Sequence, residues 1–332
     1  MSMLRKSIML FVAIVMFSSQ ITVVYAANFN KNSVKGLAQA YGYVLGQEFQ
    51  LERISREYPE LSPAVMLAKV QFDSSFPKIK SKLKEQLIFV MGEDFFRIVS
   101  ADIKQQLKTT IGTQVITKDV ALGFLHQVKE RGKGQIDSPV IEYMLSVKYL
   151  PYPVGEFTDG YRQRFSSDGH RKSQGIKLVL QAPKSWKAKE GERPHIVQKW
   201  VSQNGTGVEM IHLDIRDTAG YTPTNSEVEA FVSSGEVKET VPSGSTYINS
   251  GLFSLEMRKG YWIEMSQVHE RVGIQLYQHS RMYQLFFRGK AIGLMCQTSS
   301  SSEDKAAAAA AFKRIKPLCQ QVLNSIVLLQ AY

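Results

Sequence analysis

The sequence predicts an α+β protein: a helical N-terminal domain followed by an antiparallel β-sheet sandwich with covering helices. Three observations predict it. Before Ser166 the apolar residues recur at three- and four-residue spacing, the period of a helix face. From Ile176 to Ser299, strand-like runs follow one another across turns of hairpin length. Such short connections imply antiparallel neighbours, because parallel strands need a long crossover. After Ser302 the alanine run Ala306 to Ala311 returns to strongly helix-forming composition.

Taken in order, the chain opens on a segment with the form of a secretory leader. Arg5 and Lys6 supply the charged start, Ile8 to Phe17 the apolar stretch, and Val24, Tyr25 and Ala26 the small-residue cleavage site. The expected leader is therefore 1–26, and the mature chain begins near Ala27. The alternative is an uncleaved anchor, but the apolar run is short for a bilayer span. No cysteine sits at the cleavage site, which argues against a lipoprotein.

Residues 27–165 read as helical. Val34, Leu37, Tyr41, Val44, Leu45, Leu51 and Ile54 form one stripe, ended by Tyr58 and Pro59. Ser62 followed by Pro63, and Ser138 followed by Pro139, each read as a cap with proline at the first helical position. Further stripes run from Ile79 to Val90, Phe95 to Leu107 and Asp119 to Lys129. Helices this short need one another's apolar faces, so they should pack as a bundle. The run from Tyr41 to Gln47 (YGYVLGQ) resembles the opening of the helical dimerisation segment in Mip/FkpA-type exported prolyl isomerases. That resemblance covers the first two helices and implies helices that dimerise or cradle unfolded chains. No isomerase domain is recognisable downstream, so the activity does not carry over. An ordinary amphipathic helix with two glycines for close packing is the alternative.

Residues 166–175 are polar, basic and glycine-containing, and read as a linker. The expected second domain is 176–332. Its strands are Ile176 to Gln181, His195 to Gln203, Gly207 to Ile215, Leu252 to Met257, Tyr261 to Glu270, Ile274 to Phe287 and Ala291 to Thr298, in one sheet. Asn204 and Gly205 form the strongest short hairpin signal, since both central residues of a type I′ turn need positive φ. Further turns are expected at 258–260, 271–273 and 288–290. Thr222 to Ser226 caps a crossover helix, and a closing helix runs from about Ser302 to Leu329, kinked or split at Pro317.

This order of elements is similar to the PsbP-like α/β/α sandwich, a fold also found in exported bacterial proteins of the DcrB type. The most telling piece is Pro183 to Trp186 after the first strand. The resemblance covers Ile176 to Val327 and implies a binding or assembly factor. It brings no shared catalytic residues, so a function argued from it is analogy.

The net charge is +11, and removing Arg5 and Lys6 with the leader lowers it to +9. A basic exported chain meets an anionic envelope component, cell-wall polymer or acidic protein more readily than nucleic acid. No Lys/Arg block forms a dedicated patch, so dispersed solubilising charge is the simpler reading. Two cysteines, Cys296 and Cys319, are an even number in an oxidising compartment. They are either a disulfide joining the last strand to the last helix or two buried thiols.

Catalytic motifs are few. Nucleophile elbow, phosphate loop and zincin signatures are all missing from the sequence. His212 and Asp214, two apart on one strand, share a face and with His269 make a candidate metal set. Trp186, Lys187, Arg193, His195 and Trp262 make a candidate ligand site, in which a basic loop beside aromatic rings holds an acidic or sugar-like partner. Tryptophans that anchor helices to the sheet are the alternative. Glu264 and Glu270 read as surface charges. The reading is a periplasmic or secreted, non-enzymatic binding or assembly protein, with no cofactor, no transmembrane anchor after cleavage, and a protein or envelope partner. The alternatives are a metal-dependent hydrolase and a chaperone-like helical cradle.

Overall fold

The computed structural model describes residues 31–271, 274–301 and 304–332; the expected leader, 1–26, lies outside them. The chain divides into two compact units between Met144 and Leu145.

The first unit is helical. Helix α1 (Lys31–Glu57) packs on α2 (Ser62–Ser75), α3 (Ile79–Met91) and α4 (Glu93–Thr110), and α2 packs on α5 (Lys118–Gly132). A further helix, α6 (Val140–Lys148), begins here. The buried stripes are those the periodicity marks: Leu37, Val44, Leu51 and Ile54 on α1, Leu83 and Leu87 on α3. Ser62 is not the cap of α2, however. It lies inside the first turn, and its hydroxyl bonds Ser55 Oγ at 2.7 Å. The α1 glycines serve packing: a Cβ at Gly46 would meet Leu107 Cδ2 at 3.3 Å, and one at Gly42 would meet Ile103 Cγ2 at 3.5 Å. Arg53 of α1 is buried and donates to the carbonyls of Ile111 and Gln114 just past α4. Its cation also faces the negative end of that helix dipole.

The second unit holds two antiparallel sheets rather than the single one expected. The smaller pairs β1 (Arg162–Ser166) and β10 (Val327–Leu328) on either side of β2 (Leu178–Pro183). The larger has seven strands. They are β3 (Lys187–Glu190), β4 (Ile196–Val201), β5 (Met210–Asp217), β6 (Ser245–Leu255), β7 (Arg258–Arg271), β8 (Ile274–Phe287) and β9 (Lys290–Ser301). Their spatial order is β3-β4-β5-β9-β8-β7-β6. Helix α7 (Pro153–Thr158), the small sheet and α9 (Lys305–Asn324) share one core with the larger sheet, where Trp186, Trp200, Leu294 and Phe312 meet. On the opposite face, α8 (Asn225–Ser233) covers β6 and β7. Its capping box, Thr224 with Glu227, is as the sequence signals.

Several expectations are corrected. Residues 162–165, read as helical, form β1 together with Ser166, read as the start of the linker, and 187–190, read as a loop, are β3. The closing helix ends at Asn324, and Val327 and Leu328 form β10. Pro317 does not split α9, because Phe312 and Ile315 before it and Leu318 and Val322 after it are buried in the same core. Burying four such side chains is worth about 6–12 kcal/mol, against about 3 kcal/mol for a helical proline. The β6–β7 turn falls on Glu256 and Met257, both at positive φ (52° and 59°), ahead of the expected 258–260. Asn204 and Gly205 belong to a wider loop in which Gln203 shares the left-handed conformation, and Asn204 donates its N–H to Ser185 O at 2.9 Å. Cys296 on β9 and Cys319 on α9 are disulfide-bonded, with Cα atoms 6.2 Å apart.

The expected linker, 166–175, joins β1 to β2 within one sheet, and its Ser167 is fully buried, donating to Ile176 O at 2.7 Å. The unit division falls at 144/145 instead. A fragment starting at Ser173 therefore loses β1 and α7, with Val154 and Phe157 of the core. Each large core side chain removed costs about 2–5 kcal/mol. The expected result is that 173–332 is insoluble or melts without cooperativity, while 145–332 melts cooperatively. A cooperative transition in the shorter fragment would contradict this reading.

Candidate functional site

The five residues of the expected ligand site do not share a site. Trp186 is 3% exposed and Trp200 1%, both inside the core, so neither presents a ring to a ligand. Lys187 lies exposed on β3, and Arg193 and His195 lie in the loop before β4. Trp262 is on β7, five strands across the sheet from β3, or about 24 Å at ordinary strand spacing.

The expected metal set is likewise not assembled. His212 and Asp214 do share a face of β5, with Lys199 of β4 and Met295 of β9 flanking the histidine. That row continues through Met282 of β8 to Ile263 of β7. His269 sits six residues beyond Ile263 and three strands away from His212, a separation on the order of 25 Å. Among the described residues, no three His, Cys, Asp or Glu side chains form a group that could hold a metal ion. Asp214 instead accepts from Arg216 Nε at 3.1 Å, and its carboxylate fills the space beside Gly293, where a Cβ would meet Oδ2 at 2.4 Å. His212 is buried with Nδ1 unpartnered. Burial pushes its imidazole down to about 4. Asp214 opposes this, and His195, Arg216 and Lys199 add to the lowering.

One polar cluster was not legible as a site. Glu264 of β7 stands directly opposite Arg281 of β8, on the face that α9 partly covers. Arg281 Nε donates to Glu264 Oε2 at 3.1 Å and Nη2 donates to the same oxygen. His279 Nε2 donates to Oε1 at 2.9 Å, and Lys316 of α9 lies 3.6 Å from Oε2. The guanidinium of Arg281 sits over the Trp262 ring, 3.8 Å from its centroid, and His279 stacks on Phe312 at 4.4 Å. Glu264 is thus no surface charge, whereas Glu270 is exposed. Burial raises the Glu264 carboxyl, but the bonds from His279 and Arg281 and the charges of Arg281 and Lys316 outweigh it and hold it near 2. Every polar atom of this carboxylate is committed, so the arrangement orders the sheet against α9 and leaves no general base. The register 271↔274 of the β7–β8 hairpin is the signal that would have paired Glu264 with Arg281.

A cavity of about 20 Å³ lies between α7 and the β4–β5 loop, room for one water. Two acids line it, and both are engaged: Glu156 accepts from the Ser185 N–H and Oγ, each at 2.6 Å, and Glu209 accepts from Ser202 Oγ and from Arg314 at 2.8 Å.

The remaining candidate is a surface of the helical unit. Helix α2 buries Val65, Ala68 and Phe72. Its outward side carries Met66 (70% exposed), Leu67 and Val70 (54% exposed). Helical spacing places these three opposite the buried stripe. A helix apolar on both sides is ordinarily buried on both.

No family model matches the chain, and no curated protein matches it. Among solved structures it is similar to the PsbP of Synechocystis sp. PCC 6803, with 16% identity over 51% of this chain and 92% of that one and a TM-score of 0.31. It is similar to the Saccharomyces cerevisiae Ran-binding protein Mog1p at 8% identity over 51% and 95%, with a TM-score of 0.33. It is also similar to Mycobacterium tuberculosis LpqN, described as involved in cell envelope biogenesis, at 12% identity over 50% and 95%, with a TM-score of 0.27. A PsbP is thus among the structures that half of the chain resembles. Among the described residues no helix is long and apolar enough to cross a membrane.

Proposed function

We propose that this is an exported, non-enzymatic binding or assembly protein that engages a protein partner through the outward face of α2. The observation that carries the reading is the row Met66, Leu67 and Val70, exposed opposite a fully formed core. Exposed apolar patches of this kind mark interaction sites, because leaving them in water costs about 25 cal/mol per Å². The leader-like segment 1–26 supports export to the periplasm or beyond.

The test is site-specific photo-crosslinking in the envelope of cells expressing the full chain. A photoreactive residue at Met66 or Val70 is expected to give one discrete adduct, and one at exposed Glu85 of α3 none. The double variant Met66→Ser, Val70→Ser is expected to lose the partner while keeping its melting temperature. A smear of many adducts, together with suppressed aggregation of an unfolded client, would favour the chaperone-like cradle. Stoichiometric bound metal lost on His212→Ala would sink the non-enzyme reading.

A further inference from the structure

The two outer strands of the large sheet are built differently. β3 is four residues long and carries Lys187, Lys189 and Glu190, so shortness and charge both guard it. β6 is eleven residues long, with the sequence STYINSGLFSL, and has no charge and no proline. Its outer side pairs with no strand among the described residues. A long uncharged edge is a template for another strand, because its outward N–H and C=O groups lack a ladder partner. The Ser250 N–H bonds Asn249 Oδ1 at 2.8 Å, a local contact that a new strand has to replace.

The geometry points to a second copy of this chain as the occupant, in an antiparallel β6–β6 pairing about a twofold axis at Leu252. β6 has a bulge between Tyr247 and Asn249, and is regular from Asn249 to Leu255. A twofold at Leu252 uses only that regular half. It sets Gly251 against Phe253, Ser250 against Ser254 and Asn249 against Leu255 of the other copy. Alternation along a strand is of period two, so each pair keeps to one face of the joined sheet. The axis also brings an exposed apolar side chain onto itself: Leu252, 40% exposed, meets its own copy. No like charges oppose each other across the pairing, although each chain carries net positive charge. Association should therefore strengthen as salt screens the overall repulsion. An acidic or anionic partner would show the reverse dependence.

Sedimentation velocity on the full mature chain, disulfide intact, tests this between about 1 µM and about 1 mM. The expected result is a monomer–dimer equilibrium shifted toward dimer by added salt. Leu252→Lys, which places two ammonium groups at the axis, should lower the association constant at least about tenfold. Ala188→Lys on β3 should leave it unchanged. Leu252→Cys should cross-link two chains on oxidation, because the axis pairs that residue with itself, while Ser254→Cys should not. Should Leu252→Lys fail to fold, the two cysteine variants still decide. A monomer throughout, a dimer indifferent to Leu252→Lys, or equal cross-linking by both cysteines would overturn the pairing.

Discussion

Replacing Glu264 by glutamine is expected to destabilise the second unit by about 3–5 kcal/mol, the cost of removing one member of a buried charge pair. The size follows from what is left behind. Arg281 is 8% exposed, lies under α9 with its guanidinium on Trp262, and has Glu264 as its carboxylate. Taking that carboxylate away strands the cation in low dielectric, where water cannot replace the lost bonds. His279, whose Nδ1 already lacks a partner, loses the acceptor for Nε2 as well. Urea unfolding at neutral pH measures the change, with the slope unaltered and the midpoint lowered.

A second variant separates pairing from packing. Glu264→Leu combined with Arg281→Met removes both charges and keeps apolar volume beside Trp262. It is expected to cost less than Glu264→Gln alone, because a buried ion pair contributes little beyond a hydrophobic replacement. If the single variant costs under about 1 kcal/mol, the cluster behaves as a surface salt bridge and the account of its burial fails.

The long, strongly periodic elements were legible in the sequence. β7, β8 and β9 sit where their alternation put them, and α1, α3 and α4 where their stripes did. The errors fall where local signals are weak or where a partner decides. Arg162 to Ser166 alternates over five residues only and becomes a strand because Val179 to Pro183 pairs with it. Lys187 to Glu190 carries three charges and pairs with Gln198 to Val201 all the same. The polar run 166–175 reads as a linker, yet buried Ser167 and Ser173 show that polar residues also line tight connections. Of the candidate sites, His212 with Asp214 was legible as a shared face, since period two requires it. That His269 lies far along another strand depends on register across three strand pairings, the β7–β8 and β8–β9 hairpins and the long-range β5–β9 pair, which no single segment encodes. Lys316 reaches Glu264 only because α9 crosses the sheet at that point.

Lowering the pH from 6.5 to 4 is expected to remove about 3 kcal/mol of stability through His212 alone. The folded chain holds this imidazole neutral down to about pH 4, because it is buried on β5 between Lys199 of β4 and Met295 of β9. The unfolded chain takes up the proton near pH 6.5. Above 6.5 neither state is protonated and the stability is intact. Between 6.5 and 4 only the unfolded state binds the proton, so unfolding is favoured by about 1.4 kcal/mol for each unit of falling pH. Below 4 the folded state is protonated too and the loss levels off. The neighbouring charges set the sign. His195, Arg216 and Lys199 disfavour the imidazolium, and Asp214, the nearest opposing charge, does not compensate for burial. The measurement is the urea midpoint across pH 7.5 to 4 for the native chain and His212→Gln. The difference between the two curves should grow through this window and then stay constant. Parallel curves would mean that His212 is solvated in the folded protein, and that the face of β5 carrying it is open to water and to ligands.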